Sequence, residues 1–159
     1  MLSAAERREK IEAIRKLPDE LEAIVQGLDN RQLDTPYRAG GWTVRQVVHH
    51  LADSHMNAFI RLKLIVTEDN PTLKPYDQDA WAALPDGKSL PIAGSLSLLR
   101  GLHERWAALL QSLPEDAFQR TAQHPERGSV TLESQLVTYA GHGRKHVGHI
   151  SGLRSAKGW

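Results

Sequence analysis

The run Tyr139-Ala-Gly-His142-Gly-Arg-Lys-His146-Val-Gly-His149-Ile150 concentrates three histidines on one short segment. His142 and His146 are four positions apart, so on a helix their imidazoles leave the same face about one turn apart. Two nitrogen donors at that spacing can chelate one metal ion. His149 prolongs the stripe, but the helix axis rises roughly 10 Å from His142 to His149. That is too far for both to converge comfortably on an ion with bonds of about 2 Å. A third ligand is therefore expected from another helix.

A second group, His49, His50 and His55, supplies the candidates. His55 falls at the centre of the apolar arc Val44, Val48, Leu51 and Leu62 and reads as a buried or boundary histidine. Gln46, His50, Asp53 and Asn57 follow one another at four, three and four positions, and the line continues into Ile60 and Leu64, which a merely solvated face seldom does. This stripe predicts a polar cavity inside a bundle, with His50 as ligand and Asp53 as a group that hydrogen-bonds a ligand or moves a proton. His49 is expected to point to solvent. The chain has no cysteine, so any metal must sit on His, Asp or Glu, and neither a disulfide nor a thiolate nucleophile is available.

Positioning these side chains requires helices, and four segments carry helical periodicity. The first opens with the capping box Ser3-Ala4-Ala5-Glu6 and contains Pro18, which removes a ladder donor and predicts a kink or a split. A loop follows over 32–41. The second starts at the capping box Thr43-Val44-Arg45-Gln46, with Trp42 placed to staple onto Val47, and runs to about Thr67. A proline-rich connection over 70–91 exceeds the usual bundle loop and suggests a lid or pocket wall, with Tyr76 and Trp81 candidates for lining a pocket together with Trp106. The third helix spans about Gly94–Leu113 and the fourth about Thr131–Ser155. No segment alternates like a strand. The reading is all-α, a four-helix bundle with long crossover connections, forming one domain over residues 1–159. Gly141, Gly148 and Gly152 lie opposite His146, each at a cost of roughly 0.5–1 kcal/mol relative to alanine. Close approach of another helix, as in a homodimer, would offset that cost.

The 159 residues carry 20 Lys and Arg against 19 Asp and Glu, without a long like-charge run, which argues against nucleic acid or an anionic membrane as partner. No stretch is apolar enough to span a bilayer, and the N-terminal segment lacks a signal-like apolar region, so a cytoplasmic protein is expected. Arg144 and Lys145 read as a solvated basic face.

The segment Gly40-Gly41-Trp42-Thr43-Val44-Arg45-Gln46-Val47-Val48-His49-His50-Leu51-Ala52-Asp53-Ser54-His55 resembles the second-helix signature of the DinB/YfiT-like superfamily of metal-dependent hydrolases and thiol transferases. His142-Gly143-Arg144-Lys145-His146-Val147-Gly148-His149-Ile150 resembles its second signature, and Asn70-Pro71-Thr72-Leu73-Lys74-Pro75-Tyr76-Asp77 with Trp81 is similar to its YfiT branch. The resemblance implies that His50, His142 and His146 form a three-histidine site for one divalent transition metal per chain, zinc or nickel. Many members have glutamine where this chain has His149. It also implies a small-molecule substrate, with transfer of a low-molecular-weight thiol to an electrophile or hydrolysis of an amide or ester as the reaction. A metalloprotease helix carries glutamate after its first histidine, where this chain has Gly143. A thiol needs less help from a base than water does, which favours thiol transfer over hydrolysis. A non-catalytic metal-binding bundle is the third reading.

Overall fold

The computed structural model describes residues 1–159. Its elements are α1 (Ala4–Val25), α2 (Asn30–Leu33), α3 (Val44–Thr67), α4 (Gln78–Ala82), α5 (Pro85–Ser89), α6 (Ala93–Ser112), a 3-10 helix (Glu115–Gln119), strands β1 (Thr121–His124) and β2 (Gly128–Thr131), and α7 (Leu132–Lys157). The four long helices form the bundle. Helices α1 and α3 each pack against both α6 and α7, so the order around the bundle is α1, α6, α3, α7, and two of the three connections cross a diagonal.

The helix starts follow local chemistry. Ser3 with Glu6, and Thr43 with Gln46, form the expected capping boxes, and Thr131 with Ser134 forms another. Each satisfies backbone N–H groups that a first helical turn leaves without partners. Helix α3 ends where Arg120 donates to the carbonyls of Ile65 and Glu68. Helix α7 ends at Gly158, whose φ of 69° is the left-handed conformation glycine supplies at a C-terminus.

Pro18 does not split α1, which is continuous from Ala4 to Val25. Its ring leaves the carbonyl of Ile14, four residues earlier, without its usual helical donor. That carbonyl is taken up by the side chain of His103 on α6.

The hairpin β1–β2 lies in the connection between the third and fourth expected helices, where no strand was expected, and the architecture remains a helical bundle. Its strands are four residues each, too short for alternation to stand out. The buried face carries Ala122, opposite Val130, and the polar His124. The hairpin holds the long connection in place: Leu73 N–H donates to Gln123 C=O, and Gln123 N–H donates to Pro71 C=O.

The apolar core divides into two parts along the bundle. One is built around Ile11, Ile14, Phe59, Leu62, Trp106, Leu110 and Leu136. The other is built around Leu17, Leu21, Val47, Leu51, Leu99, Ile150 and Leu153. Along α3, α6 and α7 the change from one part to the other falls at His55, at His103 and at His142 to His146. Histidines thus form a polar layer between two hydrophobic halves. Gly143, in that layer, faces α1: a β-carbon there would overlap the Leu17 side chain, whereas Gly141, Gly148 and Gly152 have no neighbour within 4 Å. The close helix approach expected along those three glycines does not occur within the chain. No helix is long and apolar enough to cross a membrane.

Candidate metal centre

Helix α3 presents His50 and helix α7 presents His142 and His146, with one potential ligand nitrogen from each ring within 4.8 Å of the other two. His50 Nε2 and His142 Nε2 are 3.3 Å apart. Two nitrogens bonded at roughly 2.0–2.1 Å to one tetrahedral ion stand about 3.3–3.4 Å apart, so this pair already has the spacing of a chelate. Trp42 closes one side, its ring 4.5 Å from His50 and 6.3 Å from His146 between centroids.

Burial sets the protonation state. His50, His142 and His146 are each pushed down to about 3, first by burial and then by a neighbouring imidazole of the cluster. His103 is pushed down to about 4, also by burial. His55, completely enclosed, is held well below its ordinary value by burial and then by His103. All five are neutral at pH 7, the state in which imidazole ligates metals.

A chain of hydrogen bonds then fixes where their protons sit. The Ile14 carbonyl can only accept, so His103 Nδ1–H donates to it, at 2.5 Å. A neutral imidazole carries one N–H. His103 Nε2 is therefore an acceptor and receives the proton of His55 Nδ1 at 2.9 Å. His55 Nε2 is an acceptor in turn and receives His142 Nδ1–H at 3.1 Å. His142 Nε2 is left with its lone pair, directed at His50. The series draws one member from each long helix, α1, α6, α3 and α7. His146 Nδ1 is buried with no hydrogen-bond partner, and an unpaired buried nitrogen costs about 1–3 kcal/mol. A preset lone pair, a chelate spacing and an unsatisfied ring nitrogen all fit a cation held by imidazoles.

Two cavities open on this cluster. One, of about 380 Å³, is lined among others by Arg61, Tyr76, Tyr139 and His142. The second, of about 340 Å³, is lined by Tyr37, Arg38, Trp42, Lys145, His142, His146 and His149 among others. His142 and Gln78 border both.

The other sequence candidates are distributed as follows. His149 lies outside the ligand cluster and stacks on Tyr37, with ring centroids 4.4 Å apart. His49, expected at the surface, is buried: its ring nitrogens meet Ser95 Oγ at 2.8 Å and Leu90 O at 3.1 Å, tying α3 to α6 and the long connection. Asp53 is half-buried, its carboxyl raised first by burial and then by Asp86. It lines neither cavity. Gln46 donates to the Ala82 carbonyl, 2.8 Å away, fixing the end of α4. Trp106 belongs to the core beside His55 and His103, and Trp81 packs on Tyr76 outside both cavities. Lys145, read as solvated, lines the second cavity, whereas Arg144 does not. His103 and Arg61 carried no motif in the sequence. The only local signal for His103 was Pro18, which advertises a free carbonyl four residues earlier in α1.

A four-helix bundle with imidazoles converging from two adjacent helices belongs to the class of bundles that house metals between facing helices. Residues 13–150 match the family model described as the DinB superfamily. The chain belongs to that superfamily. A Bacillus cereus protein named "Putative metal-dependent hydrolase" is 53% identical over 149 residues, covering 94% of this chain and 86% of that protein. A Bacillus anthracis protein of the same name is 52% identical over the same length. The solved structure of YfiT from Bacillus subtilis, described as "a probable metal-dependent hydrolase with an unusual four-helix bundle topology", superposes with a TM-score of 0.98 at 46% identity, covering 100% of this chain and 91% of that one.

Two outcomes follow for the metal-free protein. The native state keeps its five buried histidines neutral well below their ordinary value of about 6.5, whereas the unfolded chain takes up protons below that value. Stability is therefore fully present above about pH 6.5 and is lost as pH falls toward 4; urea midpoints should stay nearly level from about pH 7.5 to 6.5 and fall steadily from there to about 4.5, and a profile flat throughout would contradict the buried neutral layer. Replacing His103 by leucine frees His55 and His142 to change tautomer. Zinc affinity, measured by chelator competition, should drop about 10- to 100-fold although residue 103 cannot touch the ion, and ¹⁵N shifts should show His142 as the Nδ1–H tautomer only in the wild type.

Proposed function

We propose that the protein is a metal-dependent enzyme that transfers a low-molecular-weight thiol to a small electrophile at His50, His142 and His146, with zinc or nickel as the ion. The carrying observation is the pair of cavities that share His142. A hydrolase needs one organic substrate and water; a transferase must hold two organic molecules against one centre, and these two spaces suit that requirement.

A divalent ion with three imidazole ligands keeps open positions and lowers the pKa of a thiol or water placed there. The chain supplies the rest. The hydrogen-bond series from Ile14 to His142 holds the ligand proton on Nδ1, away from the reacting side. Trp42 excludes water from one flank. Arg38 and Lys145 outnumber the one acid on the second cavity, Asp79, and a net positive lining favours an anionic thiolate over its thiol.

Position 143 is glycine where the metalloprotease helix carries its glutamate base, and a side chain there would have to displace Leu17. A thiol, far more acidic than water, dispenses with that base. The hydrolytic reading has its support in the names given to the Bacillus relatives, and it would assign Asp53, with its raised carboxyl, to acid–base work.

The test is consumption of 1-chloro-2,4-dinitrobenzene by the zinc- or nickel-loaded protein with and without cysteine or another small thiol, alongside release of p-nitrophenol from its acetate. Turnover that requires thiol, and that falls at least 100-fold in His146→Ala, is the expected result. Ester cleavage without thiol would replace this reading by the hydrolytic one.

A further inference from the structure

Three arginines are buried in this protein: Arg7, Arg45 and Arg61. Arg7 lies 3.6 Å from a Glu115 oxygen and 3.5 Å from one of Glu133. Arg45 meets Asp34 at 2.6 Å. Arg61, on α3 and 8% exposed, has no carboxylate partner. It donates through Nη1 to the Tyr139 hydroxyl at 3.3 Å and through Nη2 to the Lys74 carbonyl at 2.5 Å. Of the five guanidinium hydrogens, three have no acceptor, and the buried Nε is among the unpartnered atoms. A guanidinium cannot shed its charge near neutral pH, so an uncompensated buried one needs an anion from elsewhere.

The guanidinium lines the same cavity as His142, and the ring of Tyr76 lies 6.0 Å from its carbon. The other ionisable groups on that cavity are Arg127, His124, Asp77 and Glu126. Asp77 is occupied, its Oδ1 accepting the N–H groups of Asp79 and Ala80 at the start of α4. Glu126 is exposed at the hairpin turn, and its backbone N–H donates to His124 Nδ1. His124 is held below its ordinary value by burial and then by Arg61 and Arg127, with Glu126 acting the other way, so both cations and this acid are felt there. Neither acid pairs with Arg61, whose partners are the Tyr139 hydroxyl and the Lys74 carbonyl.

We propose that Arg61 is the anion-binding end of this cavity and holds a carboxylate of the small molecule whose other end reaches the metal centre at His142. A cavity of about 380 Å³ bordered by both residues accommodates a molecule of that kind. A planar guanidinium with free hydrogens matches a carboxylate in two-point geometry. Tyr139 and the Lys74 carbonyl hold its plane fixed before the ligand arrives. The assignment rests on the proposed metal-dependent reading for the identity of the far end and on the chain alone for the anion.

The test compares succinate with its uncharged diamide, succinamide, by NMR titration of the full chain with and without one equivalent of zinc. Succinate should bind in both forms and succinamide at least tenfold more weakly. Arg61→Gln should weaken succinate roughly tenfold or more, and Arg61→Lys, which keeps the charge, should retain more of it. Equal binding of the two probes, no succinate binding, or succinate binding that survives in Arg61→Gln each overturns the assignment. The probe comparison on wild type and Arg61→Lys decides the matter if Arg61→Gln does not fold. Neither thiol nor electrophile is present, so failure of thiol transfer leaves the result intact, and absence of a zinc effect would count against the metal reading alone.

Discussion

Keeping uncharged imidazoles in the middle of a hydrophobic bundle is the constraint on which the rest of the structure turns. A buried polar group costs free energy unless it is hydrogen-bonded, and this layer has no carboxylate to lean on. The chain resolves this with a single backbone acceptor. Pro18 leaves the Ile14 carbonyl free, His103 takes it, and each following ring is satisfied by the one before until the series reaches His142. A proline inside α1 thereby anchors the His142 ring on α7 through α6 and α3.

The packing follows from the same layer. Each long helix must pass from one apolar half to the other at the level of the histidines, α1 giving the Ile14 carbonyl, α6 His103, α3 His50 and His55, and α7 His142 and His146. Only α3 and α7 supply the ligand cluster, yet α1 and α6 settle its proton positions. Gly143 has no side chain because α1 brings Leu17 against it, which explains why a base is missing beside His142. The long connection and the hairpin, tied together at Leu73 and Gln123, wall the first cavity.

Much of this was legible in the chain. The spacing of His142 and His146, the stripe through His50 and the box at Thr43 and Gln46 are local patterns, and local patterns survive folding. The two strands were not legible, being four residues each, nor were α4 and α5 within a stretch dominated by proline and acids. His49 was placed outside because a single helix projection cannot foresee Ser95 and Leu90 closing over it. Asp53 shared the stripe of His50 but lines neither cavity, because a shared helix face does not say which of its residues the neighbouring elements cover. His103 and Arg61 had no motif. Their importance lies in partners 89 and 78 residues away, Ile14 and Tyr139, and only the assembled bundle reveals it.

The central claim is that His50, His142 and His146 together hold one divalent ion. Calorimetric titration of the metal-free chain with zinc tests it most directly, in the wild type, in the three single alanine variants of these histidines and in His149→Ala. One ion per chain, lost with each of the three and kept without His149, is the result this account requires. Absence of binding, or stoichiometric binding that survives removal of any of the three, would contradict it.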